Sequence, residues 1–322
     1  MALLASLFFG FVPTFLFAAF VYWLDRYEKE PKILLGAAFF WGVIIAAGGA
    51  FIINTAFGIG IFLATDSEAA TEFGTVSIIA PLVEEFLKGL AVAIVFFMFR
   101  SEFDSILDGI IYAGIVALGF AATENSFYIF SKGYLESGWS GFFSLVFVRV
   151  VLVGWQHPFY TAFTGIGFAV SRINRNPLVK FIAPFAGYGF AVAAHAFHNT
   201  FGSLIGGVEG LAVGTILDWV GWAIMFGFIL RMINNERNIL SRQLRDEVAS
   251  GLITNLQYQK TLSPWTSASA GFGGRTASRF FQACGELAHK KEQLARYGDE
   301  GGNKAMIESL RRELAILSPQ VR

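Results

Sequence analysis

Seven apolar segments, each long enough to cross a bilayer, constrain this chain more than any other feature of its sequence. A membrane-spanning helix needs roughly 20 mostly apolar residues. Segments of that kind lie at residues 2–24, 33–53, 76–99, 106–130, 142–170, 181–201 and 211–230. The 322 residues are 55% hydrophobic and include 36 Phe, and long apolar runs are not typical of membrane barrels, whose strands alternate in polarity. We therefore predict an all-α polytopic membrane protein with about seven transmembrane helices.

The basic residues of the loops predict an orientation. The odd-numbered loops contain Arg26, Lys29, Lys32, Arg100, Arg172, Arg175 and Lys180, whereas the even-numbered loops contain Lys132. Because cytoplasmic loops are enriched in Lys and Arg, we expect the amino terminus outside a bacterial-type plasma membrane and the tail after Arg231 in the cytoplasm. The formal net charge is zero, so no basic surface for nucleic acid is expected.

The chain changes in composition after residue 233. We predict a membrane-embedded core at residues 1–233 and a short helical cytoplasmic tail at residues 234–322. Within the tail, a Ser- and Gly-rich stretch precedes two helical patterns, at residues 275–297 and 303–317, that are joined by the turn sequence GDEGG. The single Cys284 excludes an internal disulfide, and we expect His289 to lie in solvent.

Ionisable side chains interrupt four of the apolar segments. They are Glu84, Glu85 and Lys88 in the third segment, Glu124 in the fourth, His157 in the fifth, and His195 and His198 in the sixth. Each charged group at the bilayer centre costs roughly 2.5 to 3.5 kcal/mol, so we expect these side chains to converge around water or a ligand. Pro158 predicts a kink beside His157, and Arg149 and Asp218 are expected to pair with each other.

Small residues predict where the helices approach one another closely. In the fourth segment, Ala113, Ala117 and Ala121 form a ridge that ends at Glu124, and a similar stripe in the fifth segment contains Gly165. Small side chains let a neighbouring backbone come near. We therefore expect a close helix contact beside the Glu124 carboxylate.

Carboxylates, imidazoles and an amide in a wet cavity suit hydrolysis. A Glu can take a proton from water while His or Asn stabilises the developing oxyanion, and His and carboxylate ligands also suit zinc, which lowers the pKa of bound water to about 7. The residues leave two other classes open. One is a proton-coupled transporter that uses the Glu and His cluster as a relay, and the other is a membrane haem protein with His157 and either His195 or His198 as axial ligands.

Four motifs in these segments resemble those of the PrsW family of intramembrane proteases. They are EEFLK at residues 84–88, FAATE at 120–124, HPFYTAFTG at 157–165 and HAFHN at 195–199. That family is related to the CAAX-protease and bacteriocin-processing superfamily, and this chain has FxxxE where the superfamily has FxxxH, as PrsW-type members do. The resemblance implies a peptidase that cleaves a membrane-anchored protein such as an anti-sigma factor.

The resemblance also implies roles for single residues. Glu84 and Glu85 are expected to activate water, with Asn199 as their orienting partner. Glu124, His157 and His195 are expected to bind a divalent metal, with zinc favoured, or to stabilise an oxyanion; a metal-free glutamate mechanism is the alternative. The roles of Lys88 and His198 and the oligomeric state are left open.

Overall fold

The computed structural model describes residues 1–205, 207–265 and 274–321, and every regular element that these residues form is a helix. The helices up to residue 243 are α1 (Ala2–Leu24), α2 (Lys32–Phe40), α3 (Ala47–Thr65), α4 (Glu68–Gly74), α5 (Ala80–Met98), α6 (Ile106–Tyr128), α7 (Leu135–Val146), α8 (Gln156–Ile173), α9 (Pro177–Ile205) and α10 (Gly207–Gln243). They are followed by α11 (Arg245–Ala249), α12 (Asn255–Thr261), α13 (Arg275–Tyr297) and α14 (Asn303–Leu317). The all-helical prediction is confirmed. Most of the Ser- and Gly-rich stretch lies outside the described residues.

Five helical stretches among the described residues are long and apolar enough to cross a membrane. They are Ala2–Leu24, Lys32–Thr65, Ile106–Ile173, Pro177–Phe201 and Ala212–Ala249. The third stretch contains two of the predicted spans, joined through a turn at Gly138, where φ is +61°. Helix α5 is not among the five because its charged residues interrupt the apolar run. An integral membrane protein is therefore confirmed, and the count of seven stays a prediction.

Helix α6 is buried along nearly its whole length and packs against several neighbours. It crosses α8 at a pair of glycines. A Cβ on Gly165 would lie 2.0 Å from the carbonyl oxygen of Gly109, so neither position has room for a side chain. Ala113 and Ala117, on the same ridge, are fully buried. This close crossing confirms small-residue packing of α8 against α6, at a point fifteen residues before Glu124 rather than beside its carboxylate.

The span that ends with α8 is interrupted just before His157. Residues 153–155 are not helical, and Pro158 lies in the first turn of α8, where its missing N–H removes no helical hydrogen bond. The carbonyl oxygen of Trp155 accepts from the backbone N–H of Phe159 at 3.1 Å and from the indole N–H of Trp222 at 2.8 Å. Backbone groups beside a helix break at membrane depth require partners within the protein. The expected kink beside the histidine is confirmed.

The chain divides into two compact units, and the shorter one combines segments that are far apart in sequence. The first unit is Met1–Val21 with Pro31–Gly227, and the second is Tyr22–Glu30 with Phe228–Arg322. The second unit therefore contains both the loop after α1 and the helices α11–α14.

Tyr27 joins the loop after α1 to the helices of the second unit. Its side chain is buried, and its hydroxyl donates to the carbonyl oxygen of Leu262 at 3.3 Å. A Cβ on Gly285 would lie 1.8 Å from the carbonyl oxygen of Tyr27, so α13 requires glycine at that position. His289 is also buried, with its Nδ1 2.8 Å from a carboxylate oxygen of Glu28. The expectation that His289 lies in solvent was wrong, because the loop covers it.

Candidate active site

Four helices bring the predicted ionisable side chains together within the first unit. Helix α5 supplies Glu84, Glu85 and Lys88, α6 supplies Glu124, α8 supplies His157, and α9 supplies His195. Glu85 and Lys88 are fully buried, and Glu84 and His195 are nearly so. A cavity of 1040 Å³ is lined by Glu84, Glu124, His157 and His195. The expected convergence of these groups is confirmed.

Glu85 is held by protein partners at both carboxylate oxygens. Its Oε1 lies 2.5 Å from Nζ of Lys88 and 2.9 Å from Nδ1 of His195. Its Oε2 accepts a hydrogen bond from the hydroxyl of Thr161 at 2.8 Å. The Lys88 ammonium also lies 3.4 Å from Nδ1 of His157. Glu85 is therefore placed to orient the groups around it, and its contact with Nδ1 leaves Nε2 of His195 free to face Glu84.

Glu84 has one carboxylate oxygen without a partner among the described residues. Its Oε1 accepts from the side-chain amide of Asn54 at 3.3 Å, whereas its Oε2 is buried and unbonded. Nε2 of His195 lies 3.9 Å from that Oε2. Glu84, His157 and His195 each offer one ligand atom, and these three atoms lie within 4.8 Å of one another. We call these three residues the candidate metal group.

Glu124 lies at the other side of His157 and is bound by an arginine. Its Oε2 is 2.8 Å from Nε2 of His157 and forms an ion pair with the guanidinium of Arg149. The same guanidinium donates from Nε to Oδ1 of Asn125 at 2.9 Å. The expected pairing of Arg149 with Asp218 is therefore wrong, because the side chain of Arg149 is directed at α6.

A second polar group surrounds Asp218. Its carboxylate lies 2.7 Å from Nδ1 of His198, accepts from the hydroxyl of Tyr160 at 3.3 Å and accepts from the amide of Gln156. Gln156, Tyr160 and His198 also line the 1040 Å³ cavity. Asn199, the next residue of α9, lines it too and donates its amide to the carbonyl oxygen of Val76 at 2.9 Å.

Charge favours a cation at the candidate metal group. The buried carboxylates of Glu84 and Glu85 and the half-buried carboxylate of Glu124 face the fixed positive charges of Lys88 and Arg149. Lys88 contacts Glu85 and Arg149 contacts Glu124. Within the described part of the chain, Glu84 is thus the carboxylate of the three with no cation in ion-pair distance other than a histidine. Uncompensated buried charge is costly. A divalent cation at Glu84, His157 and His195 would remove that cost, and two imidazoles with one carboxylate are a ligand set that zinc accepts.

The sequence and the family comparisons agree on the same region. A family model described as PrsW family intramembrane metalloprotease matches residues 30–230. The chain belongs to the PrsW family. It is 28% identical to Protease PrsW of Geobacillus kaustophilus over 186 residues, which are 56% of this chain and 75% of that protein. It is 36% identical to Protease PrsW of Clostridioides difficile over 116 residues, which are 35% of this chain and 46% of that protein. No solved structure matches the chain.

All the side chains described above in this site and its cavity lie within residues 30–230, which the PrsW family model matches. They include residues that the sequence analysis did not single out. Asn54 directly follows the predicted second span, and an amide at the edge of an apolar run is the signal that would have pointed to it. The partners of Asp218 could not be read from sequence, because they depend on how α8, α9 and α10 are rotated against one another. Membership in the PrsW family makes this chain an intramembrane protease.

Proposed function

We propose that this protease hydrolyses a peptide bond of a membrane-anchored protein, such as an anti-sigma factor, at the candidate metal group. The observation that carries the proposal is the approach of three ligand atoms from α5, α8 and α9 to within 4.8 Å of one another, next to a cavity that can hold a peptide. Family membership favours this reaction over the transporter that the Glu and His cluster alone leaves open.

Glu84, His157 and His195 would hold the metal, with zinc as the metal that these ligands favour. The buried, unbonded Oε2 of Glu84 fits this role. Glu84 thus takes the ligand place that the sequence assigns to Glu124, whose Oε2 is engaged by Arg149 and His157. When bound, zinc supplies Lewis acidity and lowers the pKa of a coordinated water.

The remaining residues of the cluster hold the ligands in place. Glu85 fixes the tautomer and orientation of His195 through Nδ1, the arrangement that metal-binding histidines usually show. Thr161 and Lys88 fix Glu85 in turn. We propose that Glu124, held by Arg149, orients His157 and receives a proton from the attacking water. Without a metal, the free Oε2 of Glu84 would be the oxygen that takes this proton.

Asn199 and Asn54 are the amides that can meet the substrate. Both line the cavity, and Oδ1 of Asn54 is buried without a hydrogen-bond partner among the described residues. A peptide N–H would satisfy that oxygen. We propose that Asn54 positions Glu84 and binds the substrate backbone, and that Asn199 keeps its predicted role as an orienting partner.

Water and substrate are proposed to enter from the outer side of the membrane. The cavity extends from the cluster to Glu68, Thr71 and Glu72 of α4, near the loop without basic residues that the sequence predicts to be outside. The loop after α1 and the tail belong to one compact unit, which supports an even number of crossings between them. The total number of spans is then odd, as the predicted seven requires. The scissile bond would then lie near the outer face.

Metal content tests this proposal most directly. Detergent-purified wild-type protein should contain about one zinc per chain by mass spectrometry, and Glu84→Gln and His195→Ala should each lose it while keeping the unfolding temperature. Glu72→Gln is the matched control, because its carboxylate lines the same cavity but lies outside the cluster, and it should keep the metal.

Three other results would change the proposal. Active wild-type protein that contains no metal after purification without chelators would favour the glutamate-activated water. A cleavage site mapped to the cytoplasmic side of a substrate would contradict entry from outside. If Glu84→Gln keeps the metal and Glu124→Gln loses it, Glu124 and not Glu84 would be the metal ligand.

A further inference from the structure

The polar group around Asp218 has no role in the proposed reaction, although it lies inside an apolar bundle. It combines Gln156 and Tyr160 of α8, His198 of α9 and Asp218 of α10. The side chain of Asp218 is 11% exposed. Its carboxylate accepts from the amide of Gln156 and the hydroxyl of Tyr160 and contacts the imidazole of His198, all at distances of 3.3 Å or less. Placing an ionisable group in a membrane helix costs free energy, and such groups usually mark functional sites. We therefore expect this polar group to have a function.

Tyr160 connects this group to the candidate metal group. Its side chain is 1% exposed. Its ring stacks on the imidazole of His195, with ring centroids 4.9 Å apart and planes 18° from parallel. Its hydroxyl donates to Oδ1 of Asp218. One side chain thus contacts a candidate metal ligand with its face and the Asp218 carboxylate with its edge.

The imidazole of His195 is consequently restrained in two directions. Glu85 holds its Nδ1 at 2.9 Å, which fixes one edge of the ring. Tyr160 covers one face, which limits rotation of the ring about the Cβ–Cγ bond. Together the two contacts direct Nε2 toward Glu84. If Glu85 alone held the His195 ring, the ring could still rotate and turn Nε2 away from Glu84.

We propose that Asp218 is a positioning residue for His195 and acts through Tyr160. His198 and Gln156 fix the carboxylate of Asp218, the carboxylate fixes the hydroxyl of Tyr160, and the Tyr160 ring fixes the plane of His195. What His195 then does rests on the proposed function. The orientation of the ring is a property of this chain alone and can be measured without metal or substrate.

Histidine-selective ¹⁵N NMR of the metal-free full-length protein in detergent tests this inference. The chain has four histidines, so the spectrum contains four imidazoles, which variants lacking each ring assign. Asp218→Asn should shift the ring nitrogens of His195 as well as those of His198, which it contacts directly. The signals of His289, in the other compact unit, should stay in place.

Two further variants separate positioning from a general loss of structure. Tyr160→Phe keeps the stacked ring and removes only the hydroxyl, so it should shift His195 in the same direction, and the double variant should shift it no further than the larger single change. Thr215→Val is the matched control: Thr215 is buried one turn before Asp218, and its hydroxyl has no partner among the described residues. It should leave all four imidazoles unchanged.

Unchanged His195 signals in both Asp218→Asn and Tyr160→Phe would overturn the inference. If Asp218→Asn does not fold, as judged by its unfolding temperature, Tyr160→Phe alone decides the result. Metal content is a separate measurement, so a failure of the proposed metal site and a failure of this positioning role are distinguishable.

Discussion

Some buried polar atoms in the cavity wall have no hydrogen-bond partner among the described residues. Oε2 of Glu84 and Oδ1 of Asn54 are two such atoms, and both residues line the cavity. A buried acceptor that stays unbonded costs about 1 to 3 kcal/mol. Because Asn54 also donates to Glu84, one side chain both supports the candidate metal ligand and faces the substrate space.

Replacing Asn54 by Ala should lower proteolytic activity by about tenfold, in the range found for groups that support metal ligands, without unfolding the protein. The reason is that Glu84 loses the donor that fixes its carboxylate. Cleavage of a membrane-anchored reporter and the unfolding temperature together measure this effect. Thr65→Ala, on the same helix but bonded only to the backbone of its own helix, is the control. Equal activity in both variants would contradict a role for Asn54.

The residues that the sequence could reveal are those whose chemistry conflicts with their surroundings. Glu84, Glu85 and Lys88 stand out because charge inside an apolar run requires a reason. Asn54 is less conspicuous, because a neutral amide at the end of a span costs little. Pairings such as Arg149 with Glu124 could not be predicted, since they depend on the rotation of each helix about its axis and not on the residues alone.

Among the helices, α6 organises the bundle because small residues let its neighbours approach. The period of the hydrophobic pattern is enough to predict the helices, including α13 and α14, whose bounds agree with the two patterns on either side of GDEGG. The lengths of the spans were less predictable. Lys32–Thr65 continues well past the predicted end at residue 53, because no Pro or charged residue stops the helix there.

Gly165→Ala should destabilise the membrane unit, because the added Cβ would lie 2.0 Å from the carbonyl oxygen of Gly109. Overpacking of this kind costs about 1 to 3 kcal/mol. The unfolding temperature in detergent should therefore fall, and activity should fall with it as α8 moves from α6. Gly48→Ala should behave like wild type or better, because nothing lies within 4 Å of its added Cβ and Ala favours helix. Similar losses in both variants would exclude the crossing as the cause.

The carboxylate of Glu247 in helix α11 forms ion pairs with residues of both α13 and α14. Glu247 is 2% exposed, and its oxygens lie 2.9 Å from Lys291 and 2.8 Å from Arg311. Burial alone would raise the pKa of Glu247, but the hydrogen bonds from Arg311 and Lys291 outweigh it and lower the pKa. A carboxyl group with a lowered pKa stabilises the folded state above the pKa of the unfolded chain, and this contribution is lost as the pH falls through the folded value.

The second unit should therefore be less stable at pH 4 than at pH 7, and Glu247→Gln should reduce this difference while costing about 1 to 3 kcal/mol at pH 7. Cys284 provides the measurement. It is fully buried, and burial raises the pKa of its thiol to about 12, so it reacts only when the unit unfolds. Urea titrations that follow its labelling by a dipyridyl disulfide, which reacts at both pH values, give the stability. A Glu247→Gln variant with the wild-type pH dependence would exclude Glu247 as its source.

At the scale of the whole molecule, the charges of the loops predict the orientation in the membrane. Basic residues lie in the odd-numbered loops, including Arg175, and the loop between α3 and α4 contains Ser67 and acidic neighbours. In a Cys284→Ser background, Ser67→Cys should react with a membrane-impermeant maleimide in intact cells. Arg175→Cys should react only after permeabilisation, and the reverse pattern would invert the proposed topology.

The contact between Tyr27 and Leu262 joins residues that are 235 positions apart, and this separation has a consequence for biosynthesis. The loop after α1 leaves the ribosome long before its partners in the second unit have been translated. It must wait, without the contacts that bury Tyr27, while the intervening helices insert one after another. Completion of this unit is thus a late event, and a chain that stops early in translation is left with an unburied aromatic loop that cellular quality control can recognise.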